Sequence, residues 1–373
     1  MIDTTSFYEM LVDNGIDYFA GVPDSLLKDL CACISDKSSK GANIITANEG
    51  NAVALCAGHY LATGRVGAAY MQNSGLGNAV NPLLSLTDPE VYSIPVLLII
   101  GWRGEPGVND EPQHRKQGEI TCRMLETMNI GYEIIGPDSK ASMKKAVESL
   151  KESKPYALVI RKGTFSSYKA PQQPNEWIMK REQALDIILS KTAQDDIIVS
   201  TTGKTSREVF ELREKNGQDH GNDFLTVGSM GHTSSIAYGI ASGTDQNVYC
   251  IDGDGSFIMH MGALAVIGSN PLPNFKYIIN DNGSHESVGG QPTCSPRLDL
   301  PSILRGFGFE EVYEASDEKM LSEMMDSMKE EGMKALIIKT NVGSRPDLGR
   351  PNLSPKENKK VFTERIKQNK NGE

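Results

Sequence analysis

Val248-Tyr249-Cys250-Ile251-Asp252-Gly253-Asp254-Gly255-Ser256 is an apolar strand pattern running into a glycine-flanked acid, and residues 257–264 behind it carry a helical pattern. The turn therefore falls at the carboxyl end of a strand, the edge at which open α/β sheets bind ligands. Its glycines let the backbone approach an anion, Asp254 presents a hard oxygen to a divalent cation, and Ser256 can donate to a phosphate oxygen where a helix begins. A second apolar run at 275–279 delivers Asn280-Asp281-Asn282-Gly283 to the same edge, about one helix and one strand further on. Asp281 and the Gly283 carbonyl then become further oxygen donors. Gly-Asp-Gly alone is an ordinary turn; the paired loops read as a cradle for a metal-bound diphosphate.

The chain outward from this turn is 373 residues long with 39% hydrophobic residues, which suits two domains with substantial cores. No apolar run reaches membrane-spanning length, and Met1-Ile2-Asp3-Thr4 lacks the basic start of an export signal, so a cytoplasmic protein is expected. The six cysteines are scattered rather than set at metal-ligand spacing and read as buried reduced thiols. A net charge of −10 argues against nucleic-acid or anionic-membrane partners.

Strand patterns at 43–47, 67–72, 93–100 and 156–161 alternate with helical ones at 50–63 and 140–151. A further strand leads into Gly21, and Ser6-Phe7-Tyr8-Glu9 reads as a capping box opening a helix. Beyond a Pro-rich polar stretch at 166–175, read as a linker, strand patterns resume at 196–200, 224–227, 247–251, 275–279 and 335–340. Two doubly wound parallel-sheet α/β domains follow, 1–165 and 176–373, with no middle domain. The charged segment 356–373 is expected to be a surface helix with a frayed end. Gly75-Leu76-Gly77 hints at a dinucleotide site, but Val80 stands where that motif needs its third glycine.

The 253–283 pair resembles the cofactor motif of the thiamine-diphosphate-dependent decarboxylases, and Asn48-Glu49-Gly50-Asn51-Ala52 is similar to their Asn-Glu-(any)-Asn-Ala element. The resemblance covers essentially the whole chain. It implies thiamine diphosphate and Mg²⁺ as cofactors, with the metal on Asp254, Asp281 and the Gly283 carbonyl. By the same resemblance, Glu49 acts on the aminopyrimidine nitrogen, Met230 supports the bent cofactor, and the Gly228 carbonyl accepts from its amine. Thr201, Thr202, Gly203, Gly253, Gly255 and Ser256 then line the diphosphate. Asp281 stands where the family often has Asn, which adds a negative charge at the metal. The compact layout, with 283–293 and 343–351, resembles the small two-domain members of that family, and this resemblance implies a small anionic 2-oxo acid substrate. The expected reaction is decarboxylation of 3-phosphonopyruvate to phosphonoacetaldehyde and CO₂, with sulfopyruvate as the alternative substrate. A non-catalytic metabolite-binding protein is the reading from another class. Candidates to hold the substrate are Ser25, His114, Arg115, Lys116, His285, Arg345 and Arg350, because guanidinium forks match phosphonate oxygens. Asp24 and Ser25 are candidates beside the reacting carboxylate, and His114 is a further catalytic candidate. His59 and His260 fall on helical patterns and read as packing residues, whereas His232 lies in a cofactor loop. The family further implies a homo-oligomer whose Glu49 and Asp254 come from different subunits.

Overall fold

A computed structural model describes residues 1–136, 138–169 and 175–371. Two compact units emerge, Met1–Gln172 with Ser287–Gln291, and Gln173–Glu286 with Pro292–Glu373. The first holds strands β1 (Tyr18–Gly21), β2 (Asn43–Ile45), β3 (Gly67–Gln72), β4 (Val96–Gly101), β5 (Gly131–Ile134) and β6 (Tyr156–Ile160). These form a parallel sheet in the order β2-β1-β3-β4-β6-β5. The second holds β7 (Ile197–Ser200), β8 (Asp223–Leu225), β9 (Val248–Gly253), β10 (Phe275–Asp281), β11 (Glu311–Ala315) and β12 (Lys334–Lys339), again all parallel, ordered β11-β12-β10-β9-β7-β8. In each unit the strand order reverses beside the first strand, between β1 and β3 and between β7 and β9. Those are the positions at which open sheets leave a crevice at their carboxyl ends.

Alternation along each strand feeds two cores, one per sheet face. In β4, Leu97 and Ile99 pack with Phe7, Leu30 and Leu158, while Leu98 and Ile100 pack with Val53, Leu76 and Leu125. In β10, Phe275, Tyr277 and Ile279 join Phe257 and Leu304, and Ile278 joins Leu185 and Leu336 on the opposite face. Cys31, Cys33, Cys56 and Cys250 are buried free thiols, whereas Cys122 is half-buried and Cys294 exposed.

Three sequence readings need correcting. The first helix is Thr4–Asp13, and Asp3 rather than Ser6 caps it, accepting from the Ser6 N–H at 2.8 Å. The start of the expected linker is tied down: Thr4 Oγ1 donates to the Ser166 carbonyl, and the Tyr168 N–H donates to Asp29. The rest of that stretch, 170–174, lies outside the described residues. The C-terminal helix Pro355–Asn371 is docked as well as exposed. Phe362 is buried, and the Asn358 amide accepts from Leu225 N–H and donates to the Asp223 carbonyl, completing the edge of β8 as a neighbouring strand would. Among the described residues no helix is long and apolar enough to cross a membrane.

Candidate active site

In the second unit, β9 ends at Gly253 and Asp254 begins the next helix, while β10 ends on Asp281. The parallel register sets Asn280 opposite Gly253, so both acids emerge at one sheet edge. Each is about 3% exposed, and a single hydroxyl joins them: Ser295 Oγ lies 3.1 Å from Asp254 Oδ2 and 2.6 Å from Asp281 Oδ1. Thr293 Oγ1 donates to the same Asp254 oxygen at 2.5 Å. Burial, and then the charge of Asp281, pushes the Asp254 carboxyl up to about 7. Two carboxylates crowded out of water call for a cation. On the Asp281 side Lys339 supplies one, its Nζ 2.5 Å from Oδ2, because β12 pairs Lys339 with Asp281 in register.

The donor set fits a hard divalent ion. It comprises two carboxylates and the Gly283 carbonyl, one of whose lone pairs takes the Thr293 N–H at 2.9 Å. Among the described residues no three His, Cys, Asp or Glu side chains cluster to hold a metal. A hard ion held this way keeps positions open for water and for the oxygens of a bound anion such as a diphosphate. Lys339→Met should lower the melting temperature of the metal-free protein, at a cost of about 2 kcal/mol, and enlarge the stabilisation gained on adding Mg²⁺ with thiamine diphosphate. Calorimetric scans with and without the additions check both signs.

Around this edge, Thr201, Thr202 and Gly203 follow β7, and Gly203 takes φ +93° at the start of helix Lys204–Lys215. The Ser256 hydroxyl is occupied beneath the surface: it accepts from the Gly231 N–H at 3.0 Å and from Thr201 Oγ1 at 3.3 Å, and it hydrogen-bonds the buried Asp252. It ties the loops together through these contacts. Gly228 precedes a strained turn in which Ser229 has φ +55°. Met230 follows it, its methyl converging with the His285 ring on Gly255, where a Cβ would sit 3.4 Å from Met230 Cε and 3.1 Å from His285. Burial pushes the His285 imidazole down to about 4, keeping it neutral. His232 and His260 face each other with ring centroids 4.5 Å apart.

In the first unit, Glu49 is the first residue of helix Glu49–Thr63, capped by Asn48, and is 5% exposed. Asn78 donates to its Oε2 at 2.8 Å. A side chain at Gly75 would collide with Oε1, so the carboxylate occupies room that only glycine leaves. After β1, Asp24 is fully buried and takes the Gln72 amide at 2.6 Å and the Leu26 N–H at 3.0 Å. Burial raises its carboxyl. Ser25 accepts from Arg103 Nη1 at 2.8 Å. His114 is half-buried, with its Nδ1 unpartnered among the described residues; burial and then the Arg103 charge lower its pKa. His59 stacks on Tyr18 at 4.1 Å, a packing role.

The basic candidates differ in how each is held within its own unit. Arg115 and Lys116 are exposed on helix Pro112–Thr127, and Lys116 pairs with Glu119 at 3.0 Å. Arg345 is committed to Glu182 at 2.8 Å, to Asp347 at 3.1 Å and to Glu211. Arg350 is exposed. Sequence reasoning gave no role to Asn78, Arg103, Ser295 and Lys339, and it passed over Asp110 and Thr293 although both lie in or beside stretches it singled out. Arg103 carried a local signal as well, its place just past the end of β4.

The N-terminal thiamine pyrophosphate-binding domain of thiamine pyrophosphate enzymes matches residues 4–124, and their C-terminal thiamine pyrophosphate-binding domain matches residues 201–338. The chain is 33% identical to a phosphonopyruvate decarboxylase of Streptomyces viridochromogenes, over 96% of this chain and 93% of that one. It is 32% identical to the phosphonopyruvate decarboxylase of Streptomyces hygroscopicus, over 98% and 94%. A sulfopyruvate decarboxylase of Methanosarcina acetivorans is 27% identical over 96% of each.

Proposed function

Because the chain belongs to the thiamine pyrophosphate enzyme family, we propose that it decarboxylates 3-phosphonopyruvate, without oxidation, to phosphonoacetaldehyde and CO₂. The observation that carries the cofactor chemistry is the buried Asp254–Ser295–Asp281 arrangement at the ends of β9 and β10. The choice of substrate rests on the two phosphonopyruvate decarboxylases, whose identity to this chain exceeds that of the full-length sulfopyruvate decarboxylase. The free thiols fit a reducing compartment, and we place the enzyme in the cytoplasm.

When bound, thiamine diphosphate supplies the nucleophilic carbon and the electron sink that cleavage beside a ketone requires. The chain's own part is positional and electrostatic. Asp254, Asp281 and the Gly283 carbonyl would hold Mg²⁺. Backbone groups at Thr202, Gly203, Gly253 and Gly255 would meet the diphosphate. Met230 and the Gly228 carbonyl would fix the pyrimidine. Glu49, kept from water and oriented by Asn78, would share a proton with the ring nitrogen. Neutral His285, beside Gly255, is placed to donate or accept a hydrogen bond without adding charge. Incubation of the purified protein with phosphonopyruvate, thiamine diphosphate and Mg²⁺ should give phosphonoacetaldehyde by phosphorus NMR, and omission of either cofactor should abolish it.

The active form on this proposal is a homo-oligomer in which Glu49 of one copy serves the Asp254 loop of another. Mixing inactive Glu49→Gln and Asp254→Asn subunits should restore part of the parent rate, about a quarter of sites in a random dimer having both residues intact. A fully active monomer by light scattering would remove this part.

A further inference from the structure

Arg103 is the cation that the first unit has built into place. Its backbone is held from both sides by buried Asn73: the Arg103 N–H donates to Asn73 Oδ1 at 3.1 Å, and Asn73 Nδ2 donates back to the Arg103 carbonyl at 2.8 Å. Its guanidinium lies against Asp110 through Nε at 2.8 Å and Nη2 at 2.5 Å. Asp110 also takes the N–H groups of Gly104 and Glu111, each at 2.8 Å. Burial works against its charge, but these hydrogen bonds, led by that of Arg103, hold the Asp110 carboxyl well below the usual carboxylate range. The loop is seated tightly on the helix that follows: a Cβ at Gly104 would strike the His114 carbonyl, and one at Gly118 the Gly104 carbonyl.

Nη1 reaches the Ser25 hydroxyl at 2.8 Å, so three of the five guanidinium N–H groups are spent. Among the described residues two find no acceptor, and Ser25, having accepted, keeps its own proton without one. The unpartnered Nδ1 of His114 belongs to a ring that feels the Arg103 charge. Unspent donors on a side chain fixed at both ends, about one-fifth exposed, are an anion subsite prepared before its ligand arrives. The other basic candidates lack this preparation: Arg115 and Lys116 are exposed on a helix, and Arg345 has carboxylates on both sides.

We propose that Arg103, oriented by Asp110 and helped by Ser25, binds the distal phosphonate or sulfonate of the substrate and sets the preference over pyruvate. The proposal rests on the decarboxylase reading above. Arg103 is the specificity residue and Asp110 a positioning residue.

The test uses the enzyme loaded with thiamine diphosphate and Mg²⁺, with three variants: Arg103→Lys, Ser25→Ala and Asp110→Asn. Arg103→Lys keeps the charge and loses the fork; it should raise KM for phosphonopyruvate about 30-fold, change kcat less than about threefold, and leave kcat/KM for pyruvate within about twofold. Ser25→Ala and Asp110→Asn should shift KM in the same direction by about three- to tenfold. Methylphosphonate, which carries the phosphonate and no keto acid, should bind the parent by calorimetry and bind Arg103→Lys at least about tenfold more weakly. An equal fall for pyruvate and phosphonopyruvate would assign Arg103 to the shared carboxylate or to folding and overturn the proposal, as would unchanged methylphosphonate affinity. A parent that binds methylphosphonate through Arg103 but turns over none of the keto acids would sink the decarboxylase reading alone.

Discussion

Glu49→Gln is expected to fold as the parent does, to retain thiamine diphosphate and Mg²⁺, and to lose turnover by about a thousandfold, the scale of a positioned acid–base group. The amide preserves the shape that Gly75 accommodates and can keep a hydrogen bond to Asn78, so packing is little disturbed. What it loses is a carboxyl that can take up and give back a proton. Circular dichroism and thermal melting check the first half, and steady-state decarboxylation checks the second. A rate within threefold of the parent would show that burial of Glu49 serves the helix start alone.

Asp254→Asn should give two effects of opposite sign. In the loaded enzyme it removes one of the two carboxylates, and affinity for Mg²⁺ with thiamine diphosphate should fall by about 10²–10³-fold, corresponding to about 3–4 kcal/mol. In the metal-free protein the same change relieves a buried pair of acids about Ser295, where burial, and then the Asp281 charge, already pushes Asp254 up to about 7. Its melting temperature should therefore hold or rise. A residue important only for folding would lower stability in both states. Titration calorimetry and melting curves with and without cofactors separate the two, and undiminished cofactor affinity would withdraw Asp254 from the metal site.

Much of this architecture was legible because central strands of a parallel sheet are buried on both faces and appear as unbroken apolar runs, as in β4 and β10. The Gly-Asp-Gly turn and Asp281 were legible for a related reason: each closes such a run at the ligand-binding edge. Strands β5 and β11 escaped notice. They lie at the sheet edges, and Gly131-Tyr132-Glu133-Ile134 and Glu311-Val312-Tyr313-Glu314-Ala315 each keep residues exposed, which breaks the apolar signal. The first helix was misread because Asp3 competes with Ser6 for the cap and wins by lying three residues before the N–H it takes.

The chemistry that stayed hidden is of another kind. Thr293 and Ser295 reach the two acids from a loop well beyond β10, and Lys339 reaches Asp281 only through strand register, a relation no local spacing expresses. Residue type alone marked Arg345 for substrate, and the fold spends it on Glu182, Glu211 and Asp347. Arg103 differs from Arg115 not in charge but in having its backbone and its guanidinium both fixed.

The central claim is that a thiamine-diphosphate site in this chain acts on a doubly anionic 2-oxo acid with phosphonate at its far end. It is tested most directly by kcat/KM for phosphonopyruvate, sulfopyruvate and pyruvate on one preparation of the loaded enzyme. The account predicts phosphonopyruvate first, with pyruvate at least about a hundredfold lower, since a two-point anion contact contributes about 3 kcal/mol. A preference for sulfopyruvate would contradict the substrate assignment, and equal use of pyruvate would contradict the anion subsite altogether.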